Sequence, residues 1–322
     1  MLLGDVLELR HGPLGQALGV ARPVLEEIAA ALAPDAEVLI VPGNHDHHLL
    51  SGWFDRTRGD GGPPALDLET AVDWLVGEPL ALLAEWLAPA RVRACYPGVW
   101  LRKDVYATHG HYGDRHTTVP MIERLGAAAM TRLTGQRGSD PRSAEDYEAT
   151  LAPMYAWIYA VAQHGGARLP VNTQVRAWTT LSGSRRRRSL RRRAILAAFP
   201  VSVAAINRAG LGPLRADVSG PELRRAALKA FAEVLERLGV TVPHVVFGHT
   251  HRAGPLQRDD RGEWRGPSGA SLINSGGWVH EPAFLGSRPS ESPYRPGFAV
   301  TLEDGRDPEL INLLDGVIAL PA

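Results

Sequence analysis

Apolar positions in the first hundred residues alternate between helical spacing and short continuous runs. Leu14–Leu32 repeats them with a helical period until Pro34-Asp35, and Glu37–Val41 is a brief β-rich run halted by Pro42-Gly43. Met1–Leu3 reads as the end of a strand, Ser51–Pro64 as a loop rich in Gly, Asp and Arg, and Leu66–Leu87 as a second helix. Arg91–Cys95, Val99–Leu101 and Val105–Thr108 follow as short strands. Such alternation predicts an α/β fold.

The pattern changes after His109. Thr118–Leu133, Ala144–His164, Leu190–Ala209 and Pro221–Leu238 all carry helical periodicity, joined by polar loops such as Gly135–Ser143. Strand signals return at His244–Phe247, Ser271–Asn274, Phe298–Leu302 and Leu310–Leu314. The expected organisation is therefore a core made of 1–117 and 240–322, with 118–239 inserted as a helical cap.

Composition narrows the classes open to the chain. Its 322 residues are 44% hydrophobic and 22% charged, ordinary proportions that leave enough apolar material for a core. Cys95 is the single cysteine, which excludes an internal disulfide and a Cys-rich structural zinc site, and points to a reducing cytoplasm. No basic start followed by an apolar run marks a signal peptide. The longest apolar stretches, Met154–Ala162 and Ala194–Ile206, fall short of the roughly 20 residues that span a bilayer. A soluble or membrane-peripheral protein is expected. Formal net charge is zero, yet seven arginines crowd into Arg185–Arg193.

The candidate chemistry lies in histidine. Of the twelve histidines, more than half sit in three clusters: "PGNHDHH" with Asn44, His45, Asp46, His47 and His48, "THGHYGDRH" with His109, His111, Asp114 and His116, and "GHTHR" with His249 and His251. Each follows an apolar run that reads as a strand, and Asp5 follows a fourth. Loops after strand ends converge on one crevice in sheets flanked by helices, so the four segments are expected to meet. Imidazole, carboxylate and amide oxygen without thiolate suit divalent manganese, iron or zinc. Asp5, with two oxygens, is the natural bridge between two ions, and a pair of ions clamps both entering and leaving oxygens of a displacement at phosphorus.

Taken in order, "GDVLE", "GNHD", "HGH" and "GHTH" resemble the motifs of the calcineurin-like metallophosphoesterase superfamily, over Gly4–His251. The resemblance implies a two-layer β-sandwich flanked by helices, with a dinuclear metal site at the strand ends. It implies that Asp5 bridges the metals, that Asn44, His109 and His249 complete one shell, and that His251 belongs to the other. It gives His45 the task of assisting the leaving group and Asp46 that of orienting His45. The implied activity is hydrolysis of a phosphomonoester, phosphodiester or pyrophosphate bond by a metal-bound hydroxide. Glu8, three residues after Asp5, points toward the UDP-diacylglucosamine pyrophosphatase branch.

The sequence also departs from the family pattern. Members begin with Asp-x-His on a first strand, and only four residues precede Asp5, so the second metal site is expected to be incomplete. A truncated N-terminus is the expected reason, with a mononuclear enzyme and a catalytically degenerate binding module as the alternatives. For "SRRRRSLRRRAILAAFPVSVAAI" three readings stay open: a solvated loop leading into a core helix, a contact with anionic lipid, or a nucleic-acid contact that would make the enzyme a nuclease. The glycines of "NSGGW" at Asn274–Trp278 suit either close approach of an anion or substrate, or a tight turn.

Overall fold

A computed structural model describes residues 1–58, 65–119, 124–126, 128, 140–164, 190–209, 212–215, 217 and 219–316, with only the backbone of 190–198. Among the described residues there are nine strands: β1 (Leu2–Leu3), β2 (Glu37–Val41), β3 (Glu69–Val72), β4 (Arg91–Arg102), β5 (Val105–Thr108), β6 (His244–Phe247), β7 (Ser271–Asn274), β8 (Phe298–Thr301) and β9 (Glu309–Asn312). The first seven make one curled sheet in the order β1-β2-β4-β5-β6-β7, with β3 paired to β4; β8 and β9 form a separate hairpin. β1, β2 and the start of β4 run parallel, as do β5, β6 and β7. The expected α/β class holds.

The long strand β4 decides where loops meet. Its first half pairs in parallel with β2, up to Ile40 opposite Ala94, and its second half pairs antiparallel with β5, starting at Gly98 opposite Thr108. The carboxyl ends of β2 and β5 therefore arrive on either side of the middle of β4. The loops carrying Asn44 and His109 face each other for that reason. The two short strands expected at Arg91–Cys95 and Val99–Leu101 are one strand, β4. Pro97 is instead accommodated inside the strand, opposite Glu69 of β3, and its carbonyl accepts from the Thr108 hydroxyl.

The inner strands are buried on both faces, which explains their unbroken apolar runs. Val38 and Ile40 of β2, with Ala94 and Tyr96 of β4, belong to a cluster packed by helices α1 (Leu14–Ala31), α2 (Ser51–Thr57), α3 (Pro79–Trp86) and α4 (Ala144–Gln163). Tyr106, Val245 and Phe247 pack against α6 (Gly220–Arg237), where Phe231 stacks on Phe247 with ring centroids 4.1 Å apart. The alternate residues Leu39, Val41, Val105, Ala107 and Val246 gather with Cys95 and Val99 inside the curl. Each Val, Leu, Ile or Phe side chain among them contributes about 1.5–3 kcal/mol when fully buried. The segment 118–239 adds α5 (Leu190–Arg208) to α4 and α6; a last short helix is α7 (Pro282–Leu285). α4 and α6 share hydrophobic clusters with the strands.

Two expectations change. Leu66–Leu87 is not one helix: β3 takes Glu69–Val72 and only Pro79–Trp86 is helical. Leu66 and Val72 are buried while Asp67 and Ala71 are exposed, a two-residue alternation hidden by helix-favouring Ala, Leu and Glu. Within Ser51–Pro64, Ser51–Thr57 is a helix rather than a loop, because Trp53 and Phe54 are drawn into the core beside Leu49 and Leu50. Most of the predicted helix Thr118–Leu133 lies outside the described residues. So do Arg185–Arg188, and the side chains of Arg191–Arg193, so the arginine run carries no structural description. Among the described residues no helix is long and apolar enough to cross a membrane.

Candidate metal centre

Four strand ends supply the site. Asp5 follows β1, Asn44 and His45 follow β2, His109 follows β5, and His249 follows β6. Asp5, His109 and His249 each offer a ligand atom within 4.8 Å of the others, the sole group of three or more His, Cys, Asp or Glu of this kind among the described residues. Asn44 joins them, with Oδ1 3.2 Å from His109 Nε2. Asn44 and His109 are each 2% exposed.

Glycine makes this approach sterically feasible. A Cβ at Gly4 or at Gly43 would overlap the His109 ring, and one at Gly43 would also strike Asp5 Oδ1. Of four non-glycine residues with left-handed backbone among the described residues, three are Asp5 (φ 55°), His249 (φ 64°) and His251 (φ 58°). Such backbone costs on the order of 1–2 kcal/mol per residue, and its concentration at one site marks geometry held for a task.

Hydrogen bonds orient the two rings. His109 Nδ1 lies 3.1 Å from the Leu3 carbonyl, which only accepts, so Nδ1 carries a hydrogen. The other ring nitrogen, Nε2, faces Asp5 Oδ2, 3.1 Å away, and Asn44 Oδ1. Asp5 Oδ2 is buried and accepts no hydrogen bond. His249 Nε2 lies 2.8 Å from Oδ1 of the buried Asp114 and donates to it. Two oxygens and two imidazole rings thus converge on one point, a donor set that suits a cation. Burial disfavours ionised Asp5, but His109, His45 and His249 outweigh it and hold the carboxyl well below its ordinary value.

His45 sits at the edge of this group. Its Nδ1 is 2.5 Å from Glu8 Oε2, and its Nε2 stands 4.0 Å from Asp5 Oδ2. Burial opposes charge on His45, yet Asp5 and Glu8 together raise its pKa. Glu8 is exposed and also meets His11 Nδ1 at 3.1 Å. The expectation that Asp46 orients His45 is corrected: Glu8 does so. Asp46, 0% exposed, spends both oxygens on backbone amides, Gly43 (2.6 Å) and Asp5 (3.2 Å) on Oδ1, Val6 (2.7 Å) and Leu7 (3.4 Å) on Oδ2. It bolts the loop after β1 to the loop after β2. Burial and the charge of Asp5 push its pKa up, against these donors.

The remaining histidines separate by role. His251 lies in the loop after β6, exposed, with Gly277 against it, and is outside the three-residue group although Asp5 acts on it electrostatically. His47, His48, His111 and His116 contact Glu148, Tyr159, Tyr96 and Tyr147 respectively. Two participants had no assigned role from sequence, Asp114 and Glu148. Asp114 stands in the "HGHYGDRH" cluster, five positions after His109, which is a usable signal; Glu148, in the second turn of a helix, offers none.

Comparison with protein-family models, curated proteins and solved structures finds no match to this chain.

Proposed function

We propose that this protein is a metal-dependent phosphoesterase of the calcineurin-like metallophosphoesterase type, acting on a phosphorylated substrate as a monoester, diester or pyrophosphate hydrolase in the cytoplasm. The observation that carries the reading is the convergence of Asp5 Oδ2, His109 Nε2 and His249 with Asn44 Oδ1, at a buried point where Asp5 Oδ2 has no hydrogen-bond donor. These donors fit a borderline divalent ion, with manganese, iron and zinc as the candidates. When bound, such an ion supplies Lewis-acid activation and offsets charge on the phosphoryl oxygens.

The protein's own residues do the rest in this reading. Asp5, Asn44, His109 and His249 hold the ion, and Asp114 fixes the tautomer of His249 through the 2.8 Å contact. His45, with Nδ1 engaged by Glu8 and a raised pKa, keeps a proton on Nε2 to deliver to the leaving oxygen. Asp46 keeps the Asp5 and Asn44 loops in register. His251 faces a second ion where one is present. The curled sheet would be the two-layer sandwich of that fold, with β4 crossing between its layers and 118–239 inserted.

Protein purified with manganese is expected to hydrolyse a generic phosphodiester such as bis-p-nitrophenyl phosphate. His109→Ala should remain folded by circular dichroism while losing bound metal and activity. Unchanged activity in that variant overturns the proposal.

A further inference from the structure

Helix α4 belongs to the intervening helical segment, yet it is stitched to three of the four loops that build the candidate site. At its carboxyl end, Gln163 accepts from Leu14 N at 2.8 Å and donates to the Gly12 carbonyl at 3.2 Å, holding the segment that follows Asp5 and Glu8. In its middle, Tyr155 packs on His47 and Tyr159 stacks on His48 with centroids 3.6 Å apart, both in the loop that follows Asn44 and His45. Nearer its start, Tyr147 stacks on Tyr112 and its hydroxyl meets His116 Nε2 at 2.7 Å, both in the turn that follows His109.

Glu148 ties these contacts together from beneath. It is 2% exposed, and its carboxylate accepts from His47 Nε2 (3.0 Å), Tyr112 Oη (3.0 Å) and Tyr96 Oη. Because the Tyr96 hydroxyl donates to Glu148, its oxygen is left to accept from His111 Nε2 at 3.0 Å. One carboxylate therefore sets the direction of every hydrogen bond in the network. No arginine or lysine pairs with it among the described contacts. A buried carboxylate held mainly by neutral donors is an expensive core residue, and apolar side chains of similar size pack α4 equally well elsewhere along its length.

We propose that Glu148 is a positioning residue of the metal centre, through which α4 sets the geometry of the loops carrying Asn44, His45 and His109. This rests on the metal reading above. Its consequence is that the intervening segment is part of the site's scaffold and controls metal affinity from below.

The test is titration of the metal-free protein with cobalt(II), read by visible absorption, with circular dichroism and the metal-free unfolding midpoint recorded alongside. Wild type should bind and give ligand-field bands. Glu148→Gln, which turns an amide N–H toward one of three donors, should stay folded, weaken cobalt about tenfold and alter the bands, the lower end of what outer ligand partners contribute. Gln163→Ala changes the other end of α4 at a partly exposed position and should weaken cobalt in the same direction. A purely structural Glu148 lowers the metal-free midpoint and leaves affinity and spectrum of the folded protein at wild-type values, which overturns the inference. If Glu148→Gln does not fold, Gln163→Ala decides, and wild-type affinity there overturns it. A flat wild-type titration refutes the metal reading itself and takes this inference with it.

Discussion

Replacing Asp46 with asparagine tests whether the two site loops are joined as described. Its carboxylate accepts four backbone N–H groups, and the two shortest bonds fall on different oxygens, Gly43 on Oδ1 at 2.6 Å and Val6 on Oδ2 at 2.7 Å. Whichever way the asparagine amide turns, its NH2 faces one short donor and one long one, so two amides lose an acceptor. A hydrogen bond to a charged group contributes about 1.5–3 kcal/mol net, and a stranded buried donor carries a similar penalty. With the longer bond of each pair counted at the low end, the loss is about 3 kcal/mol. For a chain of this size that lowers the thermal midpoint by about 5 °C. Urea unfolding of wild type and Asp46→Asn in excess chelator, at neutral pH, separates this effect from metal affinity. A difference below about 1 kcal/mol would refute the four-amide latch, because no arrangement of an amide in that pocket satisfies all four donors.

Two further outcomes follow from the same geometry. Asp114→Ala should weaken divalent metal by about 10- to 100-fold, since His249 would lose the acceptor that fixes its tautomer; isothermal titration with manganese measures it, and urea unfolding in chelator reports any loss of fold separately. His48 is held neutral, its pKa lowered to about 4 by burial and by His47 against the pull of Asp55. Its folded pKa lies below the unfolded value, so the unfolded chain takes up the proton first and stability falls as pH drops from about 6.5 to about 4. Partial exposure limits the effect to about 1–2 kcal/mol. His48→Phe keeps the stack on Tyr159 and should flatten that part of the stability–pH curve; an unchanged slope in urea unfolding at pH 5 and pH 7 would count against a neutral His48.

What was legible in the chain was local. Apolar runs followed by Gly-Asp, Gly-Asn-His, His-Gly-His and Gly-His located β1, β2, β5 and β6 and the residues just past their ends. That works because a strand buried on both faces must be continuously apolar, and glycine must stand wherever a ring lies against backbone, as at Gly4 and Gly43. Leu66–Leu87 misled because helix-favouring side chains concealed a strand whose pairing with β4 supplies its stability.

Tertiary structure decided the division of labour among similar residues. Nothing local distinguishes Asp46 from Glu8 as the partner of His45; the outcome depends on which carboxylate lies under four amides and which lies beside an imidazole. Likewise His109 and His111 are two positions apart in the same motif. One turns its Nε2 to Asp5, while the other hydrogen bonds to Tyr96 above Glu148. Sequence placed titratable groups at the ends of strands, because short-range sterics and burial patterns act along the chain. Which of them confront one another, and with which nitrogen, follows from strand register and the bend of β4, contacts between residues that lie from 40 to over 100 positions apart.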